Sequence, residues 1–323
     1  MGMKNPRKVR VAVLVGGPSS EHDVSLASGR VVHANLDKDK YKVVPVLIGH
    51  KGEWPIEPKH LKDMVDVAFI AMHGEYGEDG VVQELLRDLG IPYTGSDHMA
   101  SALAMNKILS RRLFKAHGMN VPESMVFNHY ESAERDWSDI PLPAVVKPSN
   151  RGSSVGVGIA RTANEVKLAL ERALTYSKSA LIEQYIQGRE ITCGVIDDGM
   201  GRAFPLPVTE IIPKFGFFDY NAKYTKGATD EITPARISGR EAGLAQAVSL
   251  RVHELVGASG FSRTDMILGE DGDLYVLELN TIPGMTENSL LPKAALVHGM
   301  TLGELFDRII EAAFIKHAAI VRR

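Results

Sequence analysis

Ser262-Arg263-Thr264-Asp265-Met266-Ile267-Leu268, a turn Gly269-Glu270-Asp271-Gly272, and Asp273-Leu274-Tyr275-Val276-Leu277-Glu278-Leu279 running into Asn280-Thr281-Ile282-Pro283-Gly284 form one continuous block. Two short apolar-rich runs on either side of a Gly/Asp turn predict a β-hairpin. In such a hairpin Asp265 and Glu278 lie side by side across the ladder. Glu278 and Asn280, two residues apart, project from the same face of their strand. Three oxygen donors on one surface suit a hard cation such as Mg²⁺, which prefers carboxylates, phosphates and water. Taken alone, the segment is also readable as an acidic hairpin turned to solvent.

Working outward, the chain of 323 residues exceeds the usual size of one domain. Its 44 % hydrophobic and 24 % charged content is that of a globular protein, so disorder is excluded as a general description. A net charge of −3 gives no electrostatic reason to expect nucleic acid or a membrane surface as partner. No apolar run approaches the roughly 18–20 residues needed to span a bilayer. The basic start flows straight into an apolar strand without a cleavage pattern, so a cytoplasmic location is expected. The lone cysteine, Cys193, sits in the apolar run Ile191–Ile196 and reads as a buried structural thiol.

Three regions are expected. Residues 1–104 alternate strands (Val9–Val15, Val43–Ile48, Val67–Met72) with helices (Val24–Leu36, Val81–Leu89), which predicts a parallel sheet covered by helices. Residues 105–190 carry a helix over Ser101–His117 leading in, the strand Ala144–Lys147, a helix over Ala163–Ala173 and the strand Ala180–Glu183. Thr162 with Glu165 predicts a capping box for that second helix. Residues 191–323 hold strands at Glu190–Ile196 and Ala203–Ile211, a long helix Gly239–Val256, the hairpin and C-terminal helices. Pro213 to Pro234 reads as a long irregular loop, of a length that is usually functional.

Chemistry-bearing residues collect at strand ends. Gly16-Gly17-Pro18-Ser19-Ser20-Glu21 links a strand to a helix, where glycines admit a ligand close to the backbone. Glu21 there either complements the helix dipole or holds a substrate ammonium. His73 opens His73-Gly74-Glu75-Tyr76-Gly77-Glu78-Asp79-Gly80 at the end of another parallel strand, the edge where ligands gather. Lys147 precedes the small-residue loop Asn150–Gly158, whose N–H and hydroxyl groups can close over phosphates. Neither loop has a dinucleotide or Walker spelling. Arg111-Arg112, His33, His50 and His317 read as solvated surface.

In this order the motifs resemble the ATP-grasp enzymes and, among them, the D-alanine–D-alanine ligase family. They are Gly16–Ser25, His73–Gly80, Tyr93-Thr94-Gly95-Ser96, Met105-Asn106-Lys107, Lys147–Gly156, Asp219–Tyr224, Arg263-Thr264-Asp265 and Glu278–Thr286. The resemblance covers Val11 to about Ile310 and implies an α/β, three-domain ATP-grasp fold with an N-terminal parallel-sheet domain. It implies ATP-dependent joining of two D-alanines through an acyl phosphate, for peptidoglycan precursor synthesis, by a homodimer paired through the first domain. Lys107, Lys147, Ser153 and Ser154 would contact phosphates, and Glu183, Gln184, Ile186 and Glu190 would bind adenosine. Asp265, Glu278 and Asn280 would hold two Mg²⁺ or Mn²⁺ ions. Glu21, with Ser153, Tyr224 and nearby His73, would bind the first D-alanine. Lys223, Ser289 and the Leu290 backbone would receive the carboxylate of the second. Arg263 and the Gly284 N–H would bind the tetrahedral oxyanion, and the aromatic segment 213–234 would act as a lid. Tyr224 favours a peptide over a D-alanyl-D-lactate ester. A related ligase with other substrates, a non-catalytic nucleotide sensor and a hydride-transfer enzyme are the competing classes. The retained Arg263, Asp265, Glu278 and Asn280 argue against the second, and the missing dinucleotide pattern against the third.

Overall fold

The computed structural model describes residues 7–129, 137–198, 200–214 and 229–321. The first sheet is parallel, in the order β2-β1-β3, with β1 at Val9–Gly16, β2 at Tyr41–Ile48 and β3 at Val67–Ile70. As the central strand, β1 is apolar over consecutive positions and not alternating, since both of its faces are buried; Val11 to Leu14 are at most 2 % exposed. Gly16 ends β1 at φ +86°, and a Cβ there would lie 2.3 Å from the Ile48 carbonyl oxygen, so only glycine makes this turn.

The second sheet is antiparallel, β4-β7-β5-β6, from Ser124–Asn128, Ser179–Gln184, Ala144–Pro148 and Gly158–Ala160. The helix Ala163–Leu174 covers it with Val166, Leu170 and Ala173, a stripe at helical spacing. Its cap is half of the expected box. The Thr162 hydroxyl accepts from the Glu165 N–H at 3.3 Å, but the Glu165 carboxylate reaches past Thr162 to the Arg161 N–H at 2.6 Å.

The third sheet runs β11-β10-β8-β12-β13, with β9 added beside β8. Its strands are β8 Gly188–Asp197, β9 Ala203–Pro205, β10 Thr209–Pro213, β11 Thr229–Ile232, β12 Phe261–Gly269 and β13 Leu274–Asn280. The helix Gly239–Val256 packs against it, opened by a complete Ser238/Glu241 capping box and closed by Gly257 at φ +73°.

Three sequence expectations change here. The helix expected over Ser101–His117 is two helices, His98–Met105 and Lys107–Ala116, because the Asn106 side chain caps the second by accepting from Ile108 and Leu109 N–H. The strand expected over Ala203–Ile211 is two strands, β9 and β10, on opposite sides of Leu206, whose N–H donates to the Gly194 carbonyl. The segment expected as irregular from Pro213 contains β11, paired antiparallel with β10 from Glu210 opposite Ile232 to Pro213 opposite Thr229.

The largest core does not stop at the first sheet. Leu305, Phe306, Ile309 and Ile310 of the last helix, Leu302–Val321, join it, and Phe306 meets Phe69 edge-on at 5.7 Å. Lys316 on the same helix lies 3.7 Å over the Tyr93 ring and donates to the Gly95 carbonyl at 2.6 Å. The end of the chain thereby braces the first sheet against the third.

Candidate active site

Two cavities meet at Glu278. One is a cleft between the second and third sheets, lined by Lys107, Lys147, Ser154, Glu183, Gln184, Ile186, Glu190 and Asp265 among others. The other, of about 430 Å³, lies between the third sheet and the loops of the first and includes Glu21, His73, Ser153, Arg263, Asn280, Gly284, Ser289 and Leu290. That volume is in the range of small-molecule sites. The structure thus brings the described candidates into two adjoining spaces. Lys223 and Tyr224, with the lid assigned to the segment they belong to, fall in 215–228, outside the described residues.

In the cleft the charges are paired across strands. Lys147 at the end of β5 lies 2.6 Å from the Glu183 carboxylate on β7, and Arg111 binds the other oxygen of the same carboxylate. Arg111 is 3 % exposed, so its expected place on the solvated surface is wrong; Arg112 is the exposed member of the pair. The error comes from reading the two arginines together, when adjacent helical residues point in different directions. Burial and the neighbouring Arg111 bring the Lys147 ammonium down to about 8, against the opposing pull of Glu183. Lys107 reaches Glu278 at 2.9 Å and the Arg151 carbonyl at 2.8 Å.

The hairpin forms as read from the sequence. Asp265 on β12 stands opposite Glu278 on β13, and Arg263 opposite Asn280. The ladder then skips a residue, Met266 pairing with Val276, so Leu277 is bulged. Asp265 is buried, not solvent-facing; it accepts two hydrogen bonds from the Arg263 guanidinium at 2.8 Å and one from Thr192 at 2.6 Å. Burial opposes the charge on Arg263, but Asp265, Glu278 and Glu78 more than offset it and hold the guanidinium above its usual range.

This donor set fits a divalent cation bound together with phosphate. Among the described residues no three His, Cys, Asp or Glu side chains gather as a complete metal site. Two carboxylates and an amide oxygen are what Mg²⁺ takes from protein when phosphates and water complete its shell. Lys107 and Arg263 sit on those carboxylates, where they balance the negative charge.

In the second cavity the Ser153 hydroxyl donates to the Glu21 carboxylate. Ser153 and Ser154 both have left-handed backbones, φ +51° and +56°, a conformation that costs a non-glycine residue about 1 kcal/mol or more and recurs at ligand-holding loops. His73 has Ser28 Oγ 2.8 Å from Nε2, and Glu78 lies 3.6 Å from its Nδ1. Burial works against the charged imidazole, yet Glu78 and Glu21 raise it above its ordinary value; burial also raises the Glu78 carboxyl. At Gly284 a Cβ would stand 2.8 Å from Ser289 Oγ, so any side chain there would displace the Ser289 hydroxyl. Ser289 and Leu290 begin the helix Leu290–Val297, whose first N–H groups favour an anion.

Glu78, Ser28, Thr192 and Arg111 were not legible as site residues. Two left a signal: Glu78, inside the singled-out His73–Gly80 loop, and Arg111, one helical turn after Lys107 and so on its face. Thr192 becomes a partner of Asp265 only because β8 pairs with β12 in that register. Cys193 is buried as expected, with burial pushing its thiol up to about 12.

A loop of small residues and two lysines, closed between antiparallel sheets over a carboxylate-bearing hairpin, defines the ATP-grasp class. The sequence families D-ala D-ala ligase N-terminus and C-terminus match residues 10–64 with 55–96, and 113–311. The chain is 43 % identical to a D-alanine–D-alanine ligase of Citrifermentans bemidjiense, over 98 % of this chain and all of that one. It is 44 % identical to that of Syntrophobacter fumaroxidans, over 95 % and 98 %. Among solved structures, the D-alanine–D-alanine ligase of Bacillus anthracis complexed with ATP superposes with a TM-score of 0.81 at 33 % identity, covering 97 % of this chain and 99 % of that one. A D-Ala:D-Ser ligase, VanG of Enterococcus faecalis, superposes at 0.82 with 29 % identity over 95 % and 100 %. The chain belongs to the D-alanine–D-alanine ligase family.

Proposed function

We propose that the chain joins two molecules of D-alanine to D-alanyl-D-alanine, converting ATP to ADP and phosphate. The observation that carries this is the charge of the second cavity. Glu21, Asp23, Glu78, Glu231 and Glu278 line it against the single guanidinium of Arg263 among the described residues. Such a cavity attracts ammonium groups, and at Glu278 it opens onto a cleft whose Lys107, Lys147 and Arg151 attract phosphates.

Glu21, held by Ser153, takes the ammonium of the first D-alanine and sets its carboxylate toward Glu278. Lys107 and Lys147 neutralise and align the phosphates, with Ser153 and Ser154 closing over them, so that the carboxylate oxygen attacks the γ-phosphorus and ADP departs. Glu183, Gln184, Ile186 and Glu190 form the wall for the nucleoside. Asp265, Glu278 and Asn280 would hold Mg²⁺ or Mn²⁺, two ions in this reading, which supply further charge neutralisation on the phosphates. Ser289 and the Leu290 N–H receive the carboxylate of the second D-alanine, together with Lys223. Its amine, after losing a proton, attacks the acyl phosphate carbon. Arg263 and the Gly284 N–H stabilise the tetrahedral oxyanion, which collapses with loss of phosphate. His73 orients the first-substrate end. The sequence regions 1–104, 105–190 and 191–323 serve as substrate, nucleotide and metal-bearing domains. Homodimerisation, residence in the cytoplasm and supply of peptidoglycan precursor belong to the same reading; among the described residues no helix is long and apolar enough to cross a membrane.

The VanG superposition makes a D-seryl product the second reading, because one fold accommodates both second substrates. Phosphate release with D-alanine, L-alanine, D-alanine plus D-serine and D-alanine plus D-lactate, read beside product mass, separates them. Dipeptide from D-alanine alone is expected. A mixed dipeptide or ester dominating at equal concentrations, or no product with any pair, overturns the assignment.

A further inference from the structure

We infer that Arg111 is a positioning residue for the nucleotide, coupling Lys147 to the edge that carries Glu278. Three contacts converge on its buried guanidinium. It binds one oxygen of Glu183, whose other oxygen holds the Lys147 ammonium at 2.6 Å. Its Nε and one terminal nitrogen donate to a single acceptor, the Leu277 carbonyl, at 3.0 and 2.8 Å.

Leu277 is the bulged residue of β13, the one position where the β12–β13 ladder has no partner. A bulge re-aims the side chain that follows it, and here that side chain is Glu278, set opposite Asp265. One guanidinium therefore fixes both the turn of backbone that aims Glu278 and the carboxylate that aims Lys147. Lys107, one helical turn earlier, contacts Glu278 itself at 2.9 Å, so the helix Lys107–Ala116 grips the metal-bearing strand at two successive residues. The planar fork of arginine suits this task, since it presents several donors in fixed directions. Loss of Arg111 leaves Glu183 as a buried carboxylate with Lys147 alone, drawing the ammonium back from the phosphates, and releases the bulge.

This rests on the ATP-dependent reading above, and the test separates the two. Arg111→Met and Arg111→Lys would be compared with the parent chain for folding by thermal melting, for KM of ATP and of D-alanine, and for ADP affinity by calorimetry with and without Mg²⁺. For Arg111→Met, KM for ATP and Kd for ADP should rise at least threefold, KM for D-alanine should stay within twofold, and the Mg²⁺-dependent gain in ADP affinity should shrink. Arg111→Lys, which keeps the charge, should fall between. A folded Arg111→Met with KM for ATP raised less than threefold, or with both KM values raised alike, overturns the inference. If Arg111→Met does not fold, Arg111→Lys decides: at least a threefold rise for ATP alone supports it, and less overturns it. A parent chain that binds ADP but makes no dipeptide removes the ligase reading and leaves the ADP affinities to decide this one.

Discussion

The cleft proposed for the nucleotide and the cavity proposed for the amino acids share Glu278 but differ in the balance of charge on their walls. At the cleft the lysines already have partners of opposite sign, Lys147 with Glu183 and Lys107 with Glu278, and Arg111 behind the wall shares Glu183. In the cavity carboxylates outnumber cations among the described lining residues, even though Glu278 and Glu231 are paired with Lys107 and Lys293 behind its wall. A phosphate entering the cleft competes with carboxylates for the lysines, whereas an ammonium entering the cavity relieves repulsion. Affinity for ATP should depend on how the pairs are poised, and affinity for D-alanine on how many negative charges face inward.

The largest test of this contrast falls where both spaces meet. Arg263→Met removes the proposed oxyanion donor and should lower kcat about 10²–10³-fold, and it leaves the buried Asp265 without its bidentate partner, so a loss of stability should accompany it. A rate within tenfold of the parent would take Arg263 out of the reaction centre.

Next, Ser153→Ala removes a hydrogen bond to the Glu21 carboxylate. Hydrogen bonds to charged groups contribute about 1.5–3 kcal/mol, so KM for the first D-alanine should rise roughly ten- to hundredfold. Ser153 also lies in the loop proposed to close over the phosphates, so KM for ATP can rise with it; a rise for ATP with KM for D-alanine unchanged would show that Ser153 serves the cleft alone and that the division between the two spaces fails.

A smaller effect is expected from pH. Lys147 carries its charge below about 8 and loses it above, so KM for ATP should be flat below that pH and climb by up to about tenfold per unit above it. Stability should move the other way. The folded state holds fewer protons than the unfolded chain between about 8 and 10.5, so this lysine makes stability rise with pH across that window. A KM for ATP that stays level to pH 9.5 would show that Lys147 does not meet the phosphates as a cation.

Smallest is Thr162→Ala, remote from both spaces. It should cost about 1 kcal/mol of stability through the lost cap, seen as a lower melting temperature, with both KM values unchanged. A change in either KM would mean that the second sheet transmits strain to the site.

Much of this arrangement could be read from residue order, and the reason is local. A hairpin is decided by two apolar runs and the turn between them, so the pairing of Asp265 with Glu278 follows from about twenty consecutive residues. The loops bearing Glu21, His73 and Lys147 were legible because glycine and small polar residues interrupt apolar strands there. The break at Asn106 was missed because both helices it separates are good helix formers, and only the cap marks the boundary. Even the capping box was legible only in part, since Thr162 offered the right spacing but Glu165 satisfied Arg161.

By itself the sequence determined the parallel strands of the first sheet, the carboxylate-bearing hairpin and the strand-end loops, through periodicity, turn chemistry and spacing. Only the tertiary structure decided that Arg111 is buried, that Thr192 completes Asp265, that Glu78 sits against His73, and that Leu277 is bulged so that Glu278 is aimed. The burial of Arg111 and the Thr192–Asp265 contact depend on which elements lie side by side and in what register, whereas the Glu78–His73 contact and the bulge depend on how one loop and one hairpin close. Register is a long-range property fixed when separate apolar faces are buried together, and no single stretch of the chain contains it.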